Sequence, residues 1–206
     1  MASCQEIAEE EHFTRLILFL EKPCLKLMRA LFHRRLQETN PGLSVDGFLH
    51  NNRRAILQTR HGKYNKDKYY SPGGSGTNTD KWDLGMLFHM TSYFTASHNN
   101  RPLNRIMDHL KDIKEMRDNL CHRGQPLVKR TEYDDCRKSI GDFITDTVTY
   151  LNDNSLKAML QEDVEHIERP MATELIEIHT NFHNLYKDNH IDGLIEGWYL
   201  NLFKIY

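Results

Sequence analysis

The sequence predicts an all-α fold, an up-and-down bundle of about five helices with a helical C-terminal extension. Three observations carry that prediction. Apolar residues recur at steps of three and four along most of the 206 residues, the spacing of one helix face. No stretch alternates apolar and polar residues as a half-buried strand does, and no internal repeat of about 20–50 residues points to a solenoid. Clusters of Pro, Gly and Asn separate the helical stretches and supply the breaks a bundle needs.

The first helix opens at Ser3, which makes a capping box with Glu6, and carries Ile7, Phe13, Leu16, Ile17 and Leu20. Pro23 kinks or restarts it. The pattern continues through Leu25, Leu27, Met28, Leu31, Phe32 and Leu36 until Asn40, Pro41 and Gly42 stop it. Ser44 caps a second helix to about His61, with Phe48, Leu49, Ile56 and Leu57 inward. From Gly62 to Thr79 the density of Gly, Asn and Ser predicts a long loop in which basic and aromatic residues interleave.

A third helix starts near Asp80 and carries Trp82, Leu84, Leu87, Phe88 and Tyr93 until Asn99 and Asn100. Pro102 begins a fourth, running through Ile106, Leu110, Ile113 and Leu120 to a stop at Gly124 and Pro126. Thr131 with Asp134 opens a fifth, whose Cys136, Ile140, Phe143, Ile144, Val148 and Leu151 form one stripe. Leu16, Leu20, Leu31, Ile113, Phe143 and Val148 are expected in one shared core. Asn152 to Asn154 is the expected boundary between a helical domain over 1–151 and the extension over 152–206. In the extension a short helix from Ser155 ends before Pro170. Leu175, Ile178, Phe182 and Leu185 then step at heptad spacing, too briefly for a coiled coil, so packing on the bundle is expected.

Hydrophobic content of 39% and charged content of 27% are values of a globular chain. A formal net charge of −2 excludes a uniformly basic nucleic-acid coat and leaves room for a local basic patch. Cys4, Cys24, Cys121 and Cys136 form no Cys-x-x-Cys, which argues against a zinc module, a RING or a disulfide framework; reduced thiols in a cytoplasmic protein are the expectation. The longest apolar run, Leu16 to Leu20, is far short of the roughly 20 residues of a membrane span, and acidic residues precede it, so neither a span nor a leader is expected. A P-loop is absent.

The candidate chemistry lies at the end of the fourth helix, in Arg117-Asp118-Asn119-Leu120-Cys121-His122. Cleavage of RNA without metal needs a base for the 2′-hydroxyl, an acid for the leaving oxygen and positive charge on the phosphate. His122 can serve as acid or base, Arg117 can hold the phosphate, and Asn119 can orient the substrate. With 14 Arg and 12 His, such a spacing arises about 0.8 times by chance, so its weight comes from context. Five residues of helix set Arg117 and His122 about 140° apart, so their convergence needs an irregular last turn or a second subunit. The alternative is a His122 that caps beside Asp118 and an Arg117 in a surface ion pair of little energetic weight.

Over roughly Phe13 to Leu151 the order of features resembles the HEPN superfamily, in the branch named for the DAZ-interacting zinc-finger ubiquitin ligase. The resemblance rests on Tyr70-Ser71-Pro72-Gly73-Gly74, on Lys81-Trp82-Asp83-Leu84-Gly85-Met86-Leu87-Phe88, and on Arg117 to His122 followed by the acidic, aromatic helix from Glu132 to Leu151. HEPN motifs usually carry Asn directly after the arginine, where this chain has Asp118. The resemblance implies a helical bundle that often forms a homodimer with two Arg/His pairs in a shared cleft. That cleft cuts RNA without metal in active members, and binds nucleic acid or assembles partners in others. No cofactor is implied.

Lys63, Tyr64, Lys66, Lys68, Tyr69 and Tyr70 could give single-stranded RNA phosphate contacts and stacking faces, or form a solvated loop with tyrosines resting on the bundle. Arg34 with Arg35 and Arg53 with Arg54 fit solvated helix faces better than an RNA track. His179 and His183, with His166 and His190 nearby, are read as a polar face, and no metal site is assigned. Two functions stay open, an RNA-binding domain that cleaves RNA and a non-catalytic interaction module.

Overall fold

The computed structural model describes residues 4–70, 76–95 and 101–171. Ser3, the Ser-Pro-Gly-Gly segment, Asn99, Asn100 and the spacing from Leu175 to Leu185 lie outside those residues.

One long rod opens the fold. Helix α1 (Cys4–Phe19), a π turn (Leu20–Cys24) and α2 (Leu25–Thr39) run on without a break, because Phe19 and Leu25 both keep right-handed helical backbone. Pro23 is the cause of the π turn. In an α-helix its ring would strike the Phe19 carbonyl, and it has no N–H to donate there. Widening the turn, so that the Leu25 N–H reaches the Leu20 carbonyl, makes room for the ring and keeps the helix. The expected kink or restart is therefore a continuous, locally widened helix.

Gly42, at φ 77°, supplies the left-handed step after α2, and Ser44 Oγ accepts the Gly47 N–H at 3.1 Å to start α3 (Val45–Gln58). Beyond Thr59 the structure departs from the expected long loop. Two short helices, α4 (Arg60–Tyr64) and α5 (Lys66–Tyr69), occupy its first part. The loop expectation averaged over the whole stretch, whereas residues 63–70 hold neither Gly nor Pro and the breakers are concentrated after them. Thr59 caps α4 through the Gly62 N–H at 2.9 Å. Glycine is required at that position, since a Cβ would stand 2.0 Å from the Ile56 carbonyl oxygen.

A 3-10 turn (Thr79–Lys81) leads to α6 (Leu84–Thr95), whose cap is Asp83, accepting the Met86 N–H at 2.7 Å. The third helix thus begins at Leu84, and Trp82 precedes it. Helix α7 (Arg101–Cys121) is followed by α8 (Arg130–Leu151), whose N-cap is Lys129; Thr131 lies inside the first turn and is not the cap expected of it. Asn152, in left-handed backbone at φ 51°, ends α8, and Asp153 caps α9 (Asn154–Glu168) through the Leu156 N–H at 2.9 Å.

No strand occurs among the described residues, and the fold is an all-α bundle. Helix α7 packs along α8, α2 along α6, and α1 against α8 and α9. Leu16, Leu20, Leu31, Ile113 and Phe143 are buried together as expected, with Val148 half-buried against them. Leu156, Leu160 and Ile167 of α9 join the same core. Arg15 donates to the carbonyls of Ile167 and Arg169, and Lys26 pairs with Asp163 at 2.7 Å, so the described part of the extension is held to the bundle. No helix among the described residues is long and apolar enough to cross a membrane.

Leu110, facing this core at 1% exposure, is a direct probe of the packing. Leu110→Ala should cost about 2–5 kcal/mol, read as a lower denaturant midpoint at unchanged slope. A loss well under 1 kcal/mol would mean that α7 does not carry the core.

Candidate functional site

The last turn of α7 stays regular through the motif, since the His122 N–H donates to the Asp118 carbonyl at 3.0 Å. Arg117 and His122 therefore keep the roughly 140° separation of helical geometry. His122 and Asn119 are exposed, whereas Arg117, 35% exposed, turns toward Glu21, Asp83 and Cys121 and donates to Asp118 at 3.2 Å. Burial works against the Arg117 charge, but Cys121, Asp83 and Asp118 outweigh it and raise its pKa further. Burial also opposes the Asp118 charge, yet hydrogen bonds from Lys114, at 2.5 Å, and from Arg117 hold its carboxyl below the usual range. The three residues expected to act together are thus divided within one chain. Cys121 is half-buried, and burial pushes its thiol up.

Glu21, on the π turn, faces Arg117 from the other side of this charged seam. Burial pushes its carboxyl up to about 6, against the pull of Arg117 and with the help of Asp83. Asp83 is the junction. Only 17% of its side chain is exposed; it caps α6, stands 3.9 Å from Lys68 Nζ, and lies within electrostatic reach of Glu21, Arg117 and His61.

His61 of α4 and His89 of α6 stack beside it, with ring centroids 4.9 Å apart and planes 28° from parallel. The Tyr69 hydroxyl lies 3.1 Å from His61 Nδ1, and Thr59 Oγ1 lies 3.3 Å from His89 Nε2. Burial lowers both imidazole pKa values, and for His61 the neighbouring His89, Lys68 and Lys114 add to it while Asp83 opposes.

The residues expected to bind RNA divide in two. Lys63, Lys66 and Lys68 are exposed, and Tyr64 is 71% exposed. Tyr69 is buried edge-on to Trp82, with centroids 5.2 Å apart, and cannot stack on a base. The Tyr70 hydroxyl donates to the Leu49 carbonyl at 3.1 Å, under the Arg53 guanidinium. Arg53, Arg54 and Arg60 are exposed on the same α3–α5 arm. Arg34 is a solvated ion pair with Glu38 at 2.7 Å, but Arg35 is buried between Glu38 and Tyr150 instead of lying on the surface.

Among the described residues no group of three His, Cys, Asp or Glu side chains could hold a metal ion. His166 is exposed at the end of α9, and His179, His183 and His190 lie outside the described residues. Glu21, His61, Asp83 and His89 were not singled out by the sequence. Only Asp83 carried a local sign, as an Asp ahead of an apolar helical run. Family models, curated proteins and solved structures give no match to this chain.

The Glu21 carboxyl yields a signed pH dependence. Its folded-state pKa is raised, so its contribution to stability is complete below the ordinary 4.5 and is lost as pH rises through about 6. Glu21→Gln should flatten that part of the stability profile and stabilise the protein at pH 8 by about 1–2 kcal/mol. Urea midpoints between pH 4.5 and 8 measure it. Parallel profiles for wild type and variant would show that Glu21 does not titrate there.

Proposed function

We propose that this chain is a HEPN-like RNA-binding module that holds single-stranded RNA on the α3–α5 arm. One observation carries the proposal: between Arg53 and Lys68 the arm exposes six cationic side chains against a single carboxylate, Asp67, with Tyr64 open beside them. Exposed cations on a short rigid support attract a phosphate backbone by releasing its counterions, without reading sequence. Tyr64 adds a face on which any base can stack. The net charge of −2 keeps this attraction local.

Fluorescence anisotropy with a labelled single-stranded RNA across a salt series tests it. Affinity should fall as salt rises, with a slope of about −0.7 per phosphate contact. Replacing Lys63 and Lys66 together by Ala should weaken binding and reduce the slope by about 1.4, the loss of two such contacts. Equal affinity for wild type and the double variant would remove the arm from the reading.

A second reading, an assembly module, is favoured by the exposure of Asn119 and His122 on one face while Arg117 is held by carboxylates. That module is non-catalytic; cleavage belongs to the RNA-binding reading and would need two copies paired at the ends of α7, with Arg117 of one chain brought toward His122 of the other and Asn119 orienting the substrate, as in a metal-independent endoribonuclease. Sedimentation at tens of micromolar should then show a homodimer that His122→Glu weakens. A monomer at that concentration excludes cleavage by an Arg117/His122 pair in trans.

A further inference from the structure

Arg35 of α2 is 3% exposed, yet its guanidinium is satisfied on one side alone. Its Nη1 atom donates to Glu38 Oε2 at 2.5 Å and lies 3.4 Å from the Tyr150 hydroxyl. Nε and Nη2 are buried, and among the described residues neither has a hydrogen-bond partner. Those two atoms form the side edge of the guanidinium fork, whose parallel N–H groups match the two oxygens of a carboxylate. Buried donors are rarely left in this state, so the edge calls for an acceptor. A second unpartnered donor belongs to the same contact. Helix α8 runs beside the α1–α2 rod in the same direction: Tyr133 stacks on His12 at 4.6 Å, Arg137 lies over the Phe19 ring at 4.7 Å, and Tyr150 reaches Arg35. Thr147, three residues before Tyr150 on the same face of α8, is fully buried, and its hydroxyl has no partner among the described residues. Charge agrees with this. Glu38 accepts from Arg34 and from the Tyr150 hydroxyl, each at 2.7 Å, besides Arg35, so one carboxylate answers two guanidinium groups.

We propose that the contact between α2 and α8 binds a small monocarboxylate, of the size of formate or acetate, on the Nε–Nη2 edge of Arg35. Each carboxylate oxygen accepts one N–H of the fork, and the Thr147 hydroxyl donates to one of them. The ligand class follows from the surroundings. A paired edge matches two oxygens held in one plane, which a carboxylate supplies. Burial selects a small ligand and leaves no water to solvate a second negative charge, so a monoanion is preferred to a sulfate or phosphate dianion. A single charge is also what Arg34, Arg35 and Glu38 need between them to reach balance. Glu38 and Tyr150 are partly exposed, so entry requires their shared hydrogen bond to open. The site uses no residue of α3–α5 or of the seam around Asp83, and it does not depend on the RNA-binding reading.

The test follows the melting of the full chain at neutral pH, with sodium acetate or sodium formate replacing sodium chloride at constant ionic strength. Tm should rise by about 3–5 °C for each tenfold increase in acetate above Kd, because the unfolded chain has no such site. Formate should act in the same way, and sulfate should not. Saturation transfer from the protein to the acetate methyl protons reads binding directly. Arg35→Lys keeps the charge and loses the fork, and should abolish the response. Thr147→Val puts a methyl group in place of the unpartnered hydroxyl. It should melt higher than wild type in chloride and need about tenfold more acetate for the same rise. Arg54→Lys, on the exposed face of α3, should respond as wild type does. A wild type that does not respond to acetate and formate, or responds equally to sulfate, overturns the proposal. Equal responses of wild type and Arg35→Lys also overturn it. Should Arg35→Lys fail to fold, Thr147→Val decides, and an acetate dependence equal to that of wild type in this variant overturns the site.

Discussion

The contact on which the functional surface depends is the wedge of Trp82 between Tyr69 and Phe32. Tyr69 stands at 90° to the indole with centroids 5.2 Å apart, and Phe32 of α2 meets the other side at 5.3 Å. Helices of five and four residues, as α4 and α5 are, lie far below the length at which a helix holds itself together in water. Their order comes from burying Tyr69 in this wedge. The wedge carries a cost, because Trp82 Nε1 is buried without a hydrogen-bond partner, a loss of about 1–3 kcal/mol. Aromatic burial outweighs it. The same Tyr69 then presents its hydroxyl to His61, so one side chain fixes both the arm and the ring at its root.

A second constraint is the pitch of α7. With the last turn regular, the carboxylates near Arg117 decide where its guanidinium goes, and His122 is left on open surface. The π turn contributes to that decision. Each residue of helix turns the chain by about 100°, so one extra residue in a turn rotates the faces on either side relative to each other. In this chain the widened turn holds Glu21, half-buried, opposite Arg117. A proline that could have broken the helix has instead put a carboxyl into the charged seam.

The fold class and most of the core were legible because they depend on periodicity, which a sequence displays directly. Leu16, Leu31, Ile113 and Phe143 were placed correctly from their spacing alone. Thr131 was misplaced as a cap because Lys129, with no capping side chain, leaves no local sign of the start of α8. Residues 63–69 were misread for a different reason. Their helices are imposed by tertiary burial of Tyr69, and a composition average over 62–79 mixed them with the Gly and Pro that follow. The site was the least legible part. His61 and His89 are 28 positions apart and meet only once α4 docks beside α6, while Arg117 and His122, close in sequence, are separated by the helix that makes them look like a motif.

Charge along the seam connects these points. Lys68, Lys114 and Arg117 face Asp83, Asp118 and Glu21, three cations against three carboxyls, so a phosphate entering above neutrality meets no net attraction there. Glu21 alters that balance because its carboxyl takes up a proton near pH 6, whereas Asp118 is held ionised. Below that pH the seam carries one more cation than carboxylate. On the RNA-binding reading, the seam would therefore add to the attraction of the arm for a phosphate only on the acid side of neutrality. That change in balance depends on a single proton, taken up by a carboxyl that the π turn brings opposite Arg117.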